Sequence, residues 1–228
     1  MNSRTRVIAA MLGACLISRG DASVRNSTTV LLPVKNDPTV SVRIWFKVGS
    51  EDDPPGKEGL AFLTAQMLAD ASTSQNTYEQ ILDKLYPLAA AYEAEVSVEM
   101  TVISGRVHKD NLKVYYPLLI DAITRPAFAP QDLERIRSQA LNYLESTLRY
   151  SSDEELGKAA LYNAIFAGTP YGHITAGTVS SLKAITMDDI RAFYRAHYTR
   201  DNLVIGLGGG YTSSLLEQIK KDLAALPP

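Results

Sequence analysis

Residues 49–68, GSEDDPPGKEGLAFLTAQML, constrain this chain more than any other stretch. Pro54 and Pro55 lack an amide proton and cannot sit inside a strand, while Gly56 and Gly59 permit sharp turns. Residues 49–59 therefore have to be a loop, and an acidic one. The run that follows, from Leu60 to Leu68, carries apolar residues at helical spacing. Phe62, Leu63 and Met67 are expected to pack that helix into a core. The rest of the chain has to be arranged around a buried helix entered through a Pro-Pro-Gly loop.

The flanking segments supply the partners for such a helix. Residues 28–34 and 40–48 are rich in β-branched and aromatic residues and are separated by Asn36-Asp37-Pro38, which predicts two strands and a turn. Val40, Val42, Ile44, Phe46 and Val48 alternate with Ser41, Arg43, Trp45 and Lys47, so one face of the second strand points to a core. Thr77 can cap a helix in which Tyr78, Ile81, Leu82 and Leu85 fall on one side. Residues 93–107 read as one alternating strand region. Residues 108–124 form an amphipathic helix with Leu112, Tyr115, Tyr116, Leu119 and Ile123 together. Residues 131–149 and 153–166 are long helical runs. Thr186 and Asp189 have the spacing of a capping box before Ile190, Phe193 and Tyr194. A last strand over 203–207 and a helix over 213–225 complete the described pattern. Gly206-Leu-Gly-Gly-Gly210 lacks the G-x-G-x-x-G spacing of a phosphate loop and reads as the exit from that strand.

Composition narrows the function classes. The 228 residues fit one large domain or two small ones, and 46% apolar with 21% charged residues is ordinary for a globular protein. A net charge of −2 without a basic stripe argues against nucleic acid as a partner. No apolar stretch approaches the ~20 residues that span a bilayer. Arg4 and Arg6 followed by an apolar run over 7–17 and small residues to Ala22 read as a targeting leader. Leu12-Gly-Ala-Cys15 also resembles a lipobox, so Cys15 is either a lipid anchor or a cysteine within an ordinary leader. It is the only cysteine, which rules out an internal disulfide and a Cys-based metal site. His108, His173 and His197 have no i, i+3 or i, i+4 pairing, and neither a G-x-S-x-G elbow nor a cysteine nucleophile is available. The mature chain is expected in a bacterial periplasm or envelope.

Several short motifs occur in a consistent order. Gly59-Leu60-Ala61 and Met67-Leu68 frame the helix, Arg125-Pro-Ala-Phe-Ala-Pro130 links two helices, Gly168-Thr-Pro-Tyr-Gly172 makes a turn, Gly177 precedes Leu182-Lys-Ala-Ile-Thr186, and Tyr198-Thr-Arg-Asp-Asn-Leu203 leads to the last strand. In these features residues 28–228 resemble the insulinase/pitrilysin family of inverted-motif zinc peptidases, which includes mitochondrial processing peptidase. The resemblance implies an α+β fold, a mostly antiparallel sheet flanked by helices, and irregularly alternating strands and helices agree with that class. With the leader read at 1–22, it also implies a peptidase-like domain at 23–226 and, at 227–228, the start of a linker to a second homologous domain.

In active members the frame encloses H-x-x-E-H. Two histidines on one helical face bind Zn²⁺, and the glutamate takes a proton from the metal-bound water. Here the enclosed residues are Phe62, Leu63, Thr64, Ala65 and Gln66. Phe62 has no lone pair, Ala65 no base, and Gln66 only a neutral amide oxygen. The resemblance places the third zinc ligand of active members at Glu145, which is expected to be a remnant because one carboxylate cannot hold the metal alone. It places the substrate-holding edge at Glu93, Ala94, Glu95 and Val96, with the two glutamates making that edge acidic. No cofactor is expected in this chain. The implied role is a non-catalytic subunit or domain that binds unfolded peptides and shapes a chamber for an active zinc-peptidase partner. The alternative is a free-standing peptide-binding module at the cell envelope.

Overall fold

The computed structural model describes residues 28–228. The leader reading at 1–22, with Cys15, lies outside the described residues. Five strands form one sheet: β1 (Thr29–Pro33), β2 (Thr39–Phe46), β3 (Ala91–Val96), β4 (Thr101–His108) and β5 (Leu203–Gly209). Their order across the sheet is β1-β5-β2-β4-β3. Only the β1–β5 pair is parallel, and the other three are antiparallel. β3 is therefore an edge. The expected α+β architecture is the one observed.

The alternation in β2 decides which side of the sheet is covered. Val40, Val42, Ile44 and Phe46 are buried, together with Ile103 and Val107 of β4 and Ile205 and Leu207 of β5. Each such fully buried side chain contributes roughly 1.5–3 kcal/mol relative to exposure. The central helix, α1 (Leu60–Ala69), lies on this face, with Leu63, Ala65 and Met67 each at 0% exposure. The other helices are α2 (Tyr78–Leu85), α3 (Leu112–Thr124), α4 (Pro130–Asn142), α5 (Asp153–Ile165), α6 (Val179–Ala184), α7 (Met187–His197) and α8 (Ser213–Leu223); α3, α4 and α7 pack directly on α1. The opposite side of β2 and β4 carries Ser41, Arg43, Ser104 and Arg106, none of them buried.

Both caps read from the sequence form. Thr77 Oγ1 accepts from the amide of Gln80 at 3.3 Å while Gln80 Oε1 accepts from that of Thr77 at 3.0 Å. Thr186 and Asp189 exchange the same pair of bonds at the start of α7. Three details differ from the sequence reading. Residues 93–107 are two strands rather than one, joined where Ser97 N–H donates to Met100 C=O at 2.8 Å. The four residues Ser97–Met100 between the strands keep Val96 opposite Thr101, so the alternation runs unbroken through the turn and conceals it. Leu82 points to solvent, leaving Ile81 and Leu85 as the buried contacts of α2. The long run beginning near 131 is α-helical only to Asn142, after which Tyr143–Leu148 is a π-helical stretch.

Candidate functional site

The acidic loop is held in place by the backbone it precedes. A Cβ at Gly49 would lie 2.1 Å from Val98 C=O, so only glycine permits the loop to press against the β3–β4 turn. Ser50 and Glu51 N–H then donate to the carbonyls of Ser97 and Val98 at 3.1 and 2.9 Å. Asp53 turns back and accepts from the amides of Gly59 and Ala61, each at 2.7 Å, which satisfies free donors at the N-terminus of α1. Burial pushes the Asp53 carboxyl up to about 6, against the opposing pull of those two amides and of His173. Gly59 takes φ +94°, and a Cβ there would also come within 2.7 Å of Ala176 C=O. The Gly-Leu-Ala frame is thus required by how α1 is entered, whatever the helix carries.

The residues enclosed by that frame open onto a cavity of about 430 Å³. Phe62 and Gln66 line it from α1, Ala94, Glu95 and Val96 from β3, and Gln139 and Tyr143 from the α4 side. Ala65 is fully buried beneath it. Gln66 Nε2 donates to Ala94 C=O at 3.2 Å. That bond fixes the polarity of the edge. In an antiparallel pair alternate residues turn both backbone groups towards or away from the neighbouring strand, so Ala94 and, two residues on, Val96 direct N–H and C=O away from β4. The position at Gln66 is occupied by an amide committed to the edge strand.

The sequence-predicted residues do not all meet here. Glu93 faces the other side of the sheet, where with Arg43 and Arg106 it lines a separate cavity of about 480 Å³. Glu95, two residues on and by alternation on the same face as Glu93, borders the first cavity only from the rim of the sheet edge. Glu145 does not line the cavity: its half-exposed side chain has Lys183 Nζ at 3.8 Å. His108 is at a strand end, where Nδ1 accepts from the amide of Asp110 at 3.3 Å, and His197 packs on the Phe193 ring at 4.3 Å between centroids. Neither approaches α1's open face, and His173 lines a neighbouring cavity. No group of three or more His, Cys, Asp or Glu placed to hold a metal ion occurs among the described residues. The donors lining the cavity are one carboxylate (Glu95), the amides of Gln66 and Gln139, and the hydroxyls of Tyr143 and Thr175, and a set with a single carboxylate and neither imidazole nor thiolate does not fit zinc.

Sequence reasoning missed the α4 wall. Ile136, Gln139, Ala140 and Tyr143 all line the cavity, and their three- and four-residue spacing is the signal that marks one helical face. It also missed the contact of Tyr171, whose Oη donates to Glu99 Oε1 at 2.8 Å. Hydrogen bonding to Glu99 and Glu51 pushes the Tyr171 phenol up to about 12.

Comparison with known proteins places this geometry. The family model for "Insulinase (Peptidase family M16)" matches residues 29–179. An uncharacterized zinc protease of Rickettsia bellii is 25% identical over 191 residues, 82% of this chain and 45% of the relative. The mitochondrial-processing peptidase subunit beta of Dictyostelium discoideum is 27% identical over 185 residues, 81% of this chain and 39% of that protein. The crystal structure of a peptidase M16 inactive domain from Pseudomonas fluorescens superposes with a TM-score of 0.79 at 26% identity, covering 87% of this chain and 48% of that one. The chain spans less than half the length of these relatives.

Proposed function

The chain belongs to the insulinase family, peptidase family M16, and on that premise we propose that it is a non-catalytic, peptide-binding domain working beside a zinc-holding member of the same family. The observation that carries this reading is the bond from Gln66 to Ala94 C=O. The residue framed for a metal ligand instead braces a free sheet edge, in a cavity where Phe62 and Tyr143 supply contact surface. An extended peptide can add to that edge as a further strand, its main chain bonding to Ala94 and Val96. Glu95 favours a peptide with basic residues.

Two further observations support a partner. One relative is named as a subunit, and another solved relative as an inactive domain. In this chain α5 buries none of its residues, and Leu161, Tyr162 and Ile165 are each more than half exposed, as is Tyr150 just before it. Exposed large apolar side chains on one helix suit coverage by another domain. The leader read at residues 1–22 would place this pair in the envelope. Chelator-treated protein mixed with a fluorescent Lys-rich unfolded peptide tests the proposal. The peptide is expected to bind and remain intact, and to be cut only when an H-x-x-E-H member of the family is added. Zinc-dependent turnover by the stringently purified chain alone would overturn the reading.

A further inference from the structure

The side of the sheet away from α1 carries a cavity of a different kind. Register places Glu93, Ser104 and Arg43 in one row across β3, β4 and β2. In the next row Arg106 of β4 stands between Ala91 and Ser41. Strand alternation turns all of these side chains to the face opposite the core. They line the cavity of about 480 Å³ together with Ala89 and Ala90, which lead the chain into β3.

Two features set this cavity apart from a row of solvated charges. The first is that Arg106 is braced. Its Nε and Nη2 donate to Thr39 Oγ1 at 2.9 and 2.8 Å, which leaves Nη1 free. Thr39 donates in turn to Asp37 Oδ1, at 2.7 Å from its hydroxyl and 2.8 Å from its amide. The second feature is a pair of opposite charges that do not meet. The side chains of Arg43 and Glu93 make no hydrogen bond or ion pair among the described residues. They stand two strand spacings apart, ~10 Å between Cα atoms, with only the small side chain of Ser104 between them. One charge-assisted hydrogen bond at each end would take up ~2.8 Å. The remainder leaves room for an ammonium and a carboxylate carried on one carbon.

We propose that this cavity binds a free α-amino acid, with its carboxylate between Arg43 and Arg106 and its ammonium against Glu93. A simple anion would face Glu93 with like charge, and a simple cation would face two guanidinium groups. Only a zwitterion answers both signs. The apolar lining is confined to three alanines and Tyr92, whose own side chain is buried in the core. No large apolar pocket therefore receives a side chain, and the site reads the two ends that amino acids share. The cavity at Gln66 lies on the other side of the sheet, so this inference does not depend on the peptide-binding reading.

Calorimetric titration of the whole chain with L-alanine, N-acetyl-L-alanine and L-alaninamide tests the proposal. L-Alanine is expected to bind, and blocking either of its ends is expected to weaken binding about tenfold or more, the scale of one hydrogen bond to a charged group. Arg43→Gln should weaken L-alanine by a similar factor yet leave the affinity for L-alaninamide as in the wild type. Glu93→Gln should do the same with N-acetyl-L-alanine as the indifferent ligand. Both side chains are exposed and unbonded, so neither change threatens the fold. Binding of N-acetyl-L-alanine or inorganic phosphate as tight as that of L-alanine would make this a general anion site and overturn the inference. L-Alanine binding that survives both substitutions, or no binding at millimolar concentrations, would overturn it as well. None of these results bears on the β3 edge, which the Lys-rich peptide reads separately.

Discussion

Asp53→Asn is expected to remove a pH dependence that the wild-type fold carries in its central helix. Asp53 caps α1 through two backbone amides and sits mostly out of water, with His173 and Glu58 as its charged neighbours. Its carboxyl is held at about 6 against an ordinary 3.8, burial being the main cause. The folded state therefore binds this proton more tightly than the unfolded chain does. The resulting stabilisation is fully present below pH 3.8 and is lost as the pH rises through about 6. Each pH unit between the two values is worth ~1.4 kcal/mol, so the whole change is ~3 kcal/mol. Urea unfolding of wild type and variant at a series of pH values between these limits reads it directly. Other titrating groups, Asp70 among them, act equally in both proteins and cancel in the difference. The stability of the wild type relative to the variant should fall by up to ~3 kcal/mol from the acid to the neutral end of the series. A difference that stays flat with pH would show that the two amide bonds offset burial at Asp53, and one that rises with pH would show that they outweigh it.

Two other predictions concern the site and its support. Restoring the ligand pattern with Phe62→His, Ala65→Glu and Gln66→His should give measurable zinc binding by calorimetry only when Tyr143→Glu is added, because Tyr143 faces those positions and Glu145 does not. Adding Glu145→Ala to that quadruple variant should leave the affinity unaltered, and a tenfold loss or more would return the third position to Glu145. Gly105→Ala should destabilise the fold by roughly 1–3 kcal/mol in urea unfolding, the scale of overpacking. Its Cβ would stand 1.7 Å from Tyr115 Oη, inside the bond that Tyr115 makes to Ala91 C=O at 2.9 Å, and a stability equal to wild type would refute that packing.

Much of the fold was legible because it is written in local chemistry. The two-residue period of β2, the Thr77 and Thr186 caps, and the glycines of the α1 entrance each specify their structure within a few residues. The β3–β4 turn was hidden because a connection of an even number of residues preserves the alternation on either side. The candidate site was half legible. Phe62 and Gln66 line the cavity from α1 with Ala65 buried beneath them, and Ala94 to Val96 line it from the edge strand. Glu93 and Glu145 lie away from that cavity for different reasons. Strand alternation puts Glu93 and Glu95 together on the opposite face from Ala94, and of the two only Glu95 borders the cavity. Glu145 falls within the π-helical stretch, and where a side chain in such a stretch emerges is set by tertiary packing rather than by counting along the sequence. The α4 face of Gln139 and Tyr143 was present as a helical period but carried no chemistry to single it out.

The most direct measurement of the central claim is amide hydrogen exchange at β3 with and without a saturating Lys-rich extended peptide. Ala94 and Val96 direct their amides away from β4, so strand addition should slow their exchange by about tenfold or more, while Glu93 and Glu95, already paired with β4, change little. A peptide that binds with the same affinity yet leaves the Ala94 and Val96 amides unprotected would contradict the account.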